Sequence, residues 1–178
     1  MPPPEHVHWL FASGFLALGF FLLAEAVVGR EVWRKRRWRS YLWPSTLFVL
    51  GLGMWPVMVF FTSSTLHMLA HGAWAEVMMF AGAAELGLAS GKLRNPLWRL
   101  AIVLAFVVTG SAFLHHLLGW TFLVAAVFPL GRASRPRSAV FASGLALAFV
   151  AVSVMLYCDR DVAPVFGHLS PLAGTPHR

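Results

Sequence analysis

Residues 8–39 read HWLFASGFLALGFFLLAEAVVGREVWRKRRWR, and two properties of this stretch decide the fold. From 8 to 29 the only charged side chain is Glu25. An apolar run of about 20 residues is what a helix needs to cross roughly 30 Å of hydrocarbon. Six cations then follow between Arg30 and Arg39. Arginine and lysine concentrated beside a span mark the cytoplasmic side of a membrane.

The same alternation continues to the end of the chain and predicts spans at about 8–29, 41–62, 65–90, 96–111, 113–131 and 138–158. The expectation is an all-α, polytopic helical bundle with six transmembrane helices, forming a single integral membrane domain over 1–178. With 58% hydrophobic residues, 12% charged residues and a mean hydropathy of +0.70, the chain is too apolar for a soluble globular domain. The net charge of +7 does not point to nucleic acid, because the cations lie between spans rather than on a soluble face. The single cysteine, Cys158, excludes an internal disulfide and a Cys-x-x-Cys site. The first span lacks a basic region before it and a small-residue cleavage site, and is expected to remain as an anchor.

Twelve of the 14 cations fall in alternate connections: Arg30 to Arg39, then Lys92, Arg94 and Arg99, then Arg132, Arg135 and Arg137. This places the chain in the plasma (inner) membrane with both termini extracytoplasmic. Trp33, Trp38, Tyr41, Trp43 and Trp98 are expected as an interfacial belt on the inner side, and Trp9, Trp55, Trp74, Trp120 and Tyr157 on the outer. Residues 96–131 must hold two short spans, with the reversal expected at Gly110 and Ser111. Gly14, Gly19, Gly51, Gly53, Gly82, Ala83, Gly87 and Gly144 would permit close helix approach, and Pro56 should kink the second span.

An internal repeat is suggested by LAEAVVGREVWRKRRWRSYLWPSTLFVLGLG beside AAELGLASGKLRNPLWRLAIVLAFVVTG. It yields three helix hairpins of one orientation, each beginning with a histidine: His8, His71 and His115. All eight histidines fall on the side opposite the loop arginines. His67 and His71 are spaced i, i+4 and share a helix face, with His71 about 9 Å into its span. His115 and His116 differ by about 100°, and the repeat pairs His115 with His71. Two imidazoles at matched depth on separate helices suit haem iron, or part of a copper or zinc site, and spacing alone does not choose. An ionisable side chain inside a membrane is costly and usually has a purpose. His8, His67 and His116 are alternate ligands, and His6, His168 and His177 are tail residues.

Met54, Met58, Met68 and Met155, with Cys158, would add thioether and thiolate ligands suited to Cu(I), although methionine also serves as ordinary helix filling. Glu25 and Glu85 precede basic loops and are expected to pair with arginine. Glu76, further from the loops, is a proton-relay candidate if it faces an interior histidine. The chain carries no phosphate-binding glycine loop, nucleophile elbow or zincin helix, hence no mark of an enzyme in its own right.

The runs LHMLAHGAWAEVMMFAGAAEL and FLHHLLGW resemble bacterial relatives of the fungal Ytp-like membrane proteins and the wider cytochrome b-561-type group. The likeness extends over residues 8–158. It implies a small helical bundle with b-type haem, with His71 and His115 as axial ligands and His67 and His116 as alternates. Cytochromes of that type carry haems at both sides of the membrane. This chain has no histidine on the inner side, so the resemblance implies a single outer-leaflet haem serving an extracytoplasmic redox partner. Copper handling and a cofactor-free membrane subunit are the other expectations.

Overall fold

In hydrocarbon the backbone must satisfy its own polar groups, and within one continuous apolar segment helix does so. The computed structural model describes residues 4–61, 65–112 and 116–158, and these are helical apart from short connections, with no strand among them. The helices are α1 (Pro4–Val28), α2 (Arg30–Lys35), α3 (Leu42–Phe61), α4 (Thr65–Ser90), α5 (Leu100–Ala112), α6 (His116–Ala125), α7 (Val127–Ser134) and α8 (Ala139–Cys158). Short 3-10 turns precede α3 and α5, at Arg37–Tyr41 and Pro96–Arg99.

Four segments are long and apolar enough to cross a membrane: His6–Val28, Arg37–Met58, Leu117–Ser134 and Ala139–Cys158. Pro96–Ser111 is apolar but shorter. The long helix α4 is not among the four; it carries His67, His71, Glu76 and Glu85. Large apolar side chains point outward from the bundle, up to 79% exposed at Val27, with Val124, Val140, Leu10 and Phe20 also exposed. A helix that is apolar on its outer as well as its inner face belongs in lipid or in the interior of a larger assembly.

Breaks in the helices have local causes. Gly29 takes φ +85°, a left-handed conformation that only glycine adopts cheaply, and separates α1 from α2. Asn95 Oδ1 accepts from the Leu97 N–H at 3.0 Å, and Pro96 opens the turn that leads into α5. The expected span at 113–131 overlaps the apolar segment Leu117–Ser134, in which α6 passes into α7 through a turn at Ala126 that keeps helical backbone angles and the Ala126 N–H bond to the Phe122 carbonyl. Pro129 lacks an amide N–H, and it lies in the first turn of α7, where no intrahelical donor is needed. Pro56 stands inside α3. The reversal expected at Gly110 and Ser111 comes later, since α5 runs to Ala112 and the next three residues lie outside the described ones.

Packing follows chain order. α1 lies against α3, α3 against α4, α4 against α5, α5 against α6, α6 against α8, and α8 returns to α1. These six helices therefore close a ring. Its interior is filled by a layer of aromatic rings: Phe15 stacks on Phe149 at 5.8 Å and lies 5.9 Å from Trp74, and Phe106 meets Phe122 and Phe149 edge-on at 5.3 and 5.2 Å. Aromatic pairs at such separations add about 0.5–1.5 kcal/mol each beyond burial. The α1–α8 seam is fastened by the Ser153 hydroxyl, which donates to the Ala12 carbonyl at 2.7 Å, and by Ser13 and Tyr157, whose hydroxyls are 2.6 Å apart.

Glycine sets the closest approach. A Cβ on Gly51 of α3 would sit 2.7 Å from the Ala75 carbonyl oxygen, and one on Gly82 of α4 would sit 2.6 Å from the Phe48 nitrogen. Gly53 is different from its expectation, because the nearest atom to its notional Cβ is 4.0 Å away. Of the tryptophans expected in interfacial belts, Trp33, Trp43 and Trp74 are buried in the bundle, whereas Trp38, Trp55, Trp98 and Trp120 are exposed.

Candidate functional site

Two polar regions stand at opposite ends of the aromatic layer. α1 and α4 both run away from the histidines and toward glutamates. Their last turns bring Glu25 and Glu85 to a gap shared with Arg30, Trp43 and Arg132.

At this arginine end, Glu25 is the hub. Its Oε2 accepts from the Trp43 indole N–H at 3.1 Å, and its Oε1 lies 3.4 Å from Arg132 Nη2 and 3.6 Å from Arg30 Nε. Arg132 also lies over the Trp43 ring, 4.8 Å from the centroid. Glu25 and Arg132 are each only 7% exposed, so charge and counter-charge are withdrawn from solvent together. A buried cation or carboxylate is tolerable only when so paired. Pairing of Glu25 with arginine agrees with expectation, but Arg132 came from a group expected to be a simple loop. Arg30 Nη1 donates to the Pro136 carbonyl at 3.1 Å, tying the start of α2 to the α7–α8 connection. Burial, with repulsion from Arg132 and Arg34, pulls the Arg30 guanidinium down to about 10, against the opposing pull of Glu25. It remains a cation at neutral pH.

The histidine end is built by three helices that start there. His8 lies one turn before Phe11 in α1, and His71 one turn before Trp74 in α4. The Phe11 and Trp74 rings are 5.3 Å apart. Residues three apart share a helix face, so both imidazoles stand about 4.5 Å above that contact, facing the same neighbourhood. Each is half-buried, while His6 is exposed and stacks near Trp9. Met54 and Met58 of α3 are buried, and Met58 Sδ lies 3.5 Å from where a Cβ on Gly72 would be, next to His71. Met155 Sδ accepts from the Thr121 hydroxyl at 3.5 Å, and Cys158 is exposed.

His115 lies outside the described residues, as do His168 and His177 and the side chains of His67 and His116. His8 and His71 thus each lie one turn from the Phe11–Trp74 contact, on helices that meet through those rings, and the paired placement of His71 with His115 falls outside the described residues. Among the described residues, no three of histidine, cysteine, aspartate and glutamate converge as a metal site. Glu76 corrects its expectation. It is exposed on the outer surface of α4, so it does not face an interior histidine.

Comparison of the chain with family models, with curated proteins and with solved structures found no match. Its functional reading rests on its own residues. The repeat is informative in part. Its two glutamates, Glu25 and Glu85, line one gap, but of its two Leu-Trp pairs Trp43 is buried on Glu25, while Trp98 is exposed and meets Phe80 at 6.0 Å. Arg132 is the residue missed from sequence. Its only local signal is position, directly after Gly131 and inside the helix that follows Pro129.

Proposed function

We propose that this chain is a six-span membrane protein of the plasma (inner) membrane, both termini extracytoplasmic, that binds a b-type haem at its histidine end and passes electrons to an extracytoplasmic redox partner. The observation that supports this most is His71: half-buried one turn above Trp74, whose ring meets Phe11, at the end away from the loop arginines. The donor set fits the group. His71 offers imidazole, and Phe11, Phe15 and Trp74 offer apolar ring surface of the kind a macrocycle packs against. His71 and His115 would hold the iron, with His67 and His116 as alternates. The group would supply one-electron transfer. The residues around it position it and keep water from the face toward the aromatic layer.

A copper site is the second reading, favoured by the Met58 thioether beside α4 at Gly72 and by His8 at the level of His71. Imidazole with thioether suits Cu(I).

A reduced-minus-oxidised visible spectrum and elemental analysis, on protein purified in mild detergent from haem-replete cells, separate the two. For haem, His71→Ala and His115→Ala each abolish the reduced b-type spectrum, and His67→Ala has a smaller effect. For copper, metal is present without haem, and His8→Ala or Met54→Leu with Met58→Leu lowers it. Protein with neither group overturns both readings.

Orientation is tested separately. A reporter fused after Arg178 should read as extracytoplasmic and one between Arg37 and Arg39 as cytoplasmic. The opposite pattern at either position would sink the six-span topology.

A further inference from the structure

Three separate connections meet at the arginine end around a cavity of about 450 Å³. Arg30, Glu31 and Arg34 come from α2, Arg99 from the turn before α5, and Arg135 and Arg137 from the connection between α7 and α8. Five guanidiniums thus face one space with a single carboxylate, Glu31, among them. The volume falls in the range of small-molecule sites, roughly 300–1,000 Å³, whereas the gap beside Glu25 holds only about 10 Å³. The residues are far apart in sequence, so this concavity is built by the fold and is not a mere run of charge.

We propose that this cavity is a phosphate site, and that its occupant is the headgroup of an anionic phospholipid from the adjoining leaflet, with two linked phosphates matching the cation count best. Guanidinium presents paired N–H donors that fit phosphate oxygens, and basic pockets among membrane helices bind anionic headgroups. Repulsion from Arg132, Arg34 and Arg99 adds to the burial that lowers the Arg30 pKa, against the opposing pull of Glu25. An anion in the cavity would offset that repulsion. The Arg30 bond to the Pro136 carbonyl holds two of the cavity's walls together. The inference depends on the geometry of this end of the bundle and is independent of haem or copper at the other.

The test measures lipid binding by native mass spectrometry and thermal stability in mild detergent, with diphosphatidylglycerol, phosphatidylglycerol and phosphatidylcholine, and separately with inorganic phosphate and pyrophosphate. Diphosphatidylglycerol should bind most tightly, phosphatidylcholine should not bind, and raising salt should weaken binding. Arg99→Gln with Arg135→Gln should weaken it about 30-fold, taking the usual contribution of each basic residue near an anionic surface, and the Lys pair should restore much of that. Arg36→Gln with Arg37→Gln removes two exposed cations outside the cavity, and should change affinity by no more than about 3-fold. Stabilisation by phosphate or pyrophosphate with no lipid preference would assign the same site to a soluble phosphate compound. Equal losses from the two double variants, or no binding of any phosphate compound, would overturn the proposal.

Discussion

Glu25→Ala should cost about 3–5 kcal/mol, the usual penalty for removing one partner of a buried ion pair. Three groups lose their acceptor at once: Arg132, the Trp43 indole and Arg30. Arg132 suffers most, because its guanidinium is buried and loses the carboxylate it bonds, keeping the Trp43 ring and the neighbouring Glu85 of the same gap. A cation over tryptophan contributes about 0.5–2 kcal/mol, too little to replace the carboxylate. Glu25→Gln should lose less, since its amide oxygen still accepts from Trp43. Glu25→Leu combined with Arg132→Met should recover much of the loss, because an apolar pair replaces a charge left alone. Thermal or denaturant unfolding in mild detergent measures the three variants against the parent. A Glu25→Ala protein as stable as the parent would refute the account, as would a double variant no better than the single one.

Gly82→Leu should separate α3 from α4 and leave little folded protein. The notional Cβ of Gly82 lies 2.6 Å from the Phe48 nitrogen and 2.8 Å from its Cα, and that of Gly51 lies 2.7 Å from both the Ala75 oxygen and the Met79 nitrogen. These neighbours are backbone atoms, which cannot rotate away as a side chain can. The helices must move apart, losing the van der Waals contact that holds membrane helices together. Gly82→Ala should cost about 1–3 kcal/mol as overpacking. Gly53→Ala is the contrast, on the face of α3 toward α1. Its nearest neighbour, Phe11 Cζ, is 4.0 Å away, and replacing glycine inside a helix gains up to about 1 kcal/mol. Equal effects of Gly→Ala at positions 82 and 53 would refute close approach as what sets the cost.

Much of the architecture was legible because membrane helices are written in composition. Apolar runs give the long helices, and the cations fall at their ends. Glu25 was expected to meet arginine because it stands beside Arg30, and it does. Local chemistry also explains the turns at Gly29 and at Asn95-Pro96. The turn at Ala126 left no mark in the sequence pattern, because periodicity does not register the one N–H that Pro129 lacks. Which tryptophans are buried was not legible for a related reason. An indole suits both a packed interior and an exposed face, and only its neighbours decide between them. Trp43 is drawn inward by Glu25 and Trp74 by Phe11 and Phe15.

The candidate sites divide the same way. That His8 and His71 stand near the starts of their helices and Glu25 and Glu85 near the ends, beside the loop arginines, follows from residue order along each helix. Which residues meet within an end does not. The turns that carry His8 and His71 approach each other through Phe11 and Trp74, whose rings touch across the ring of helices, and Glu76 turns outward because Trp74, Ala75 and Met78 take the buried face of α4. The arginine cavity depends on three connections that share no sequence neighbourhood. Hydropathy and charge act residue by residue along the chain, so the sequence by itself determined the helices and the sorting of charge between the two ends. The rotation of each helix, and with it every contact among the polar groups, was decided by the tertiary structure, because glycine seams and aromatic packing on several helices must be satisfied together.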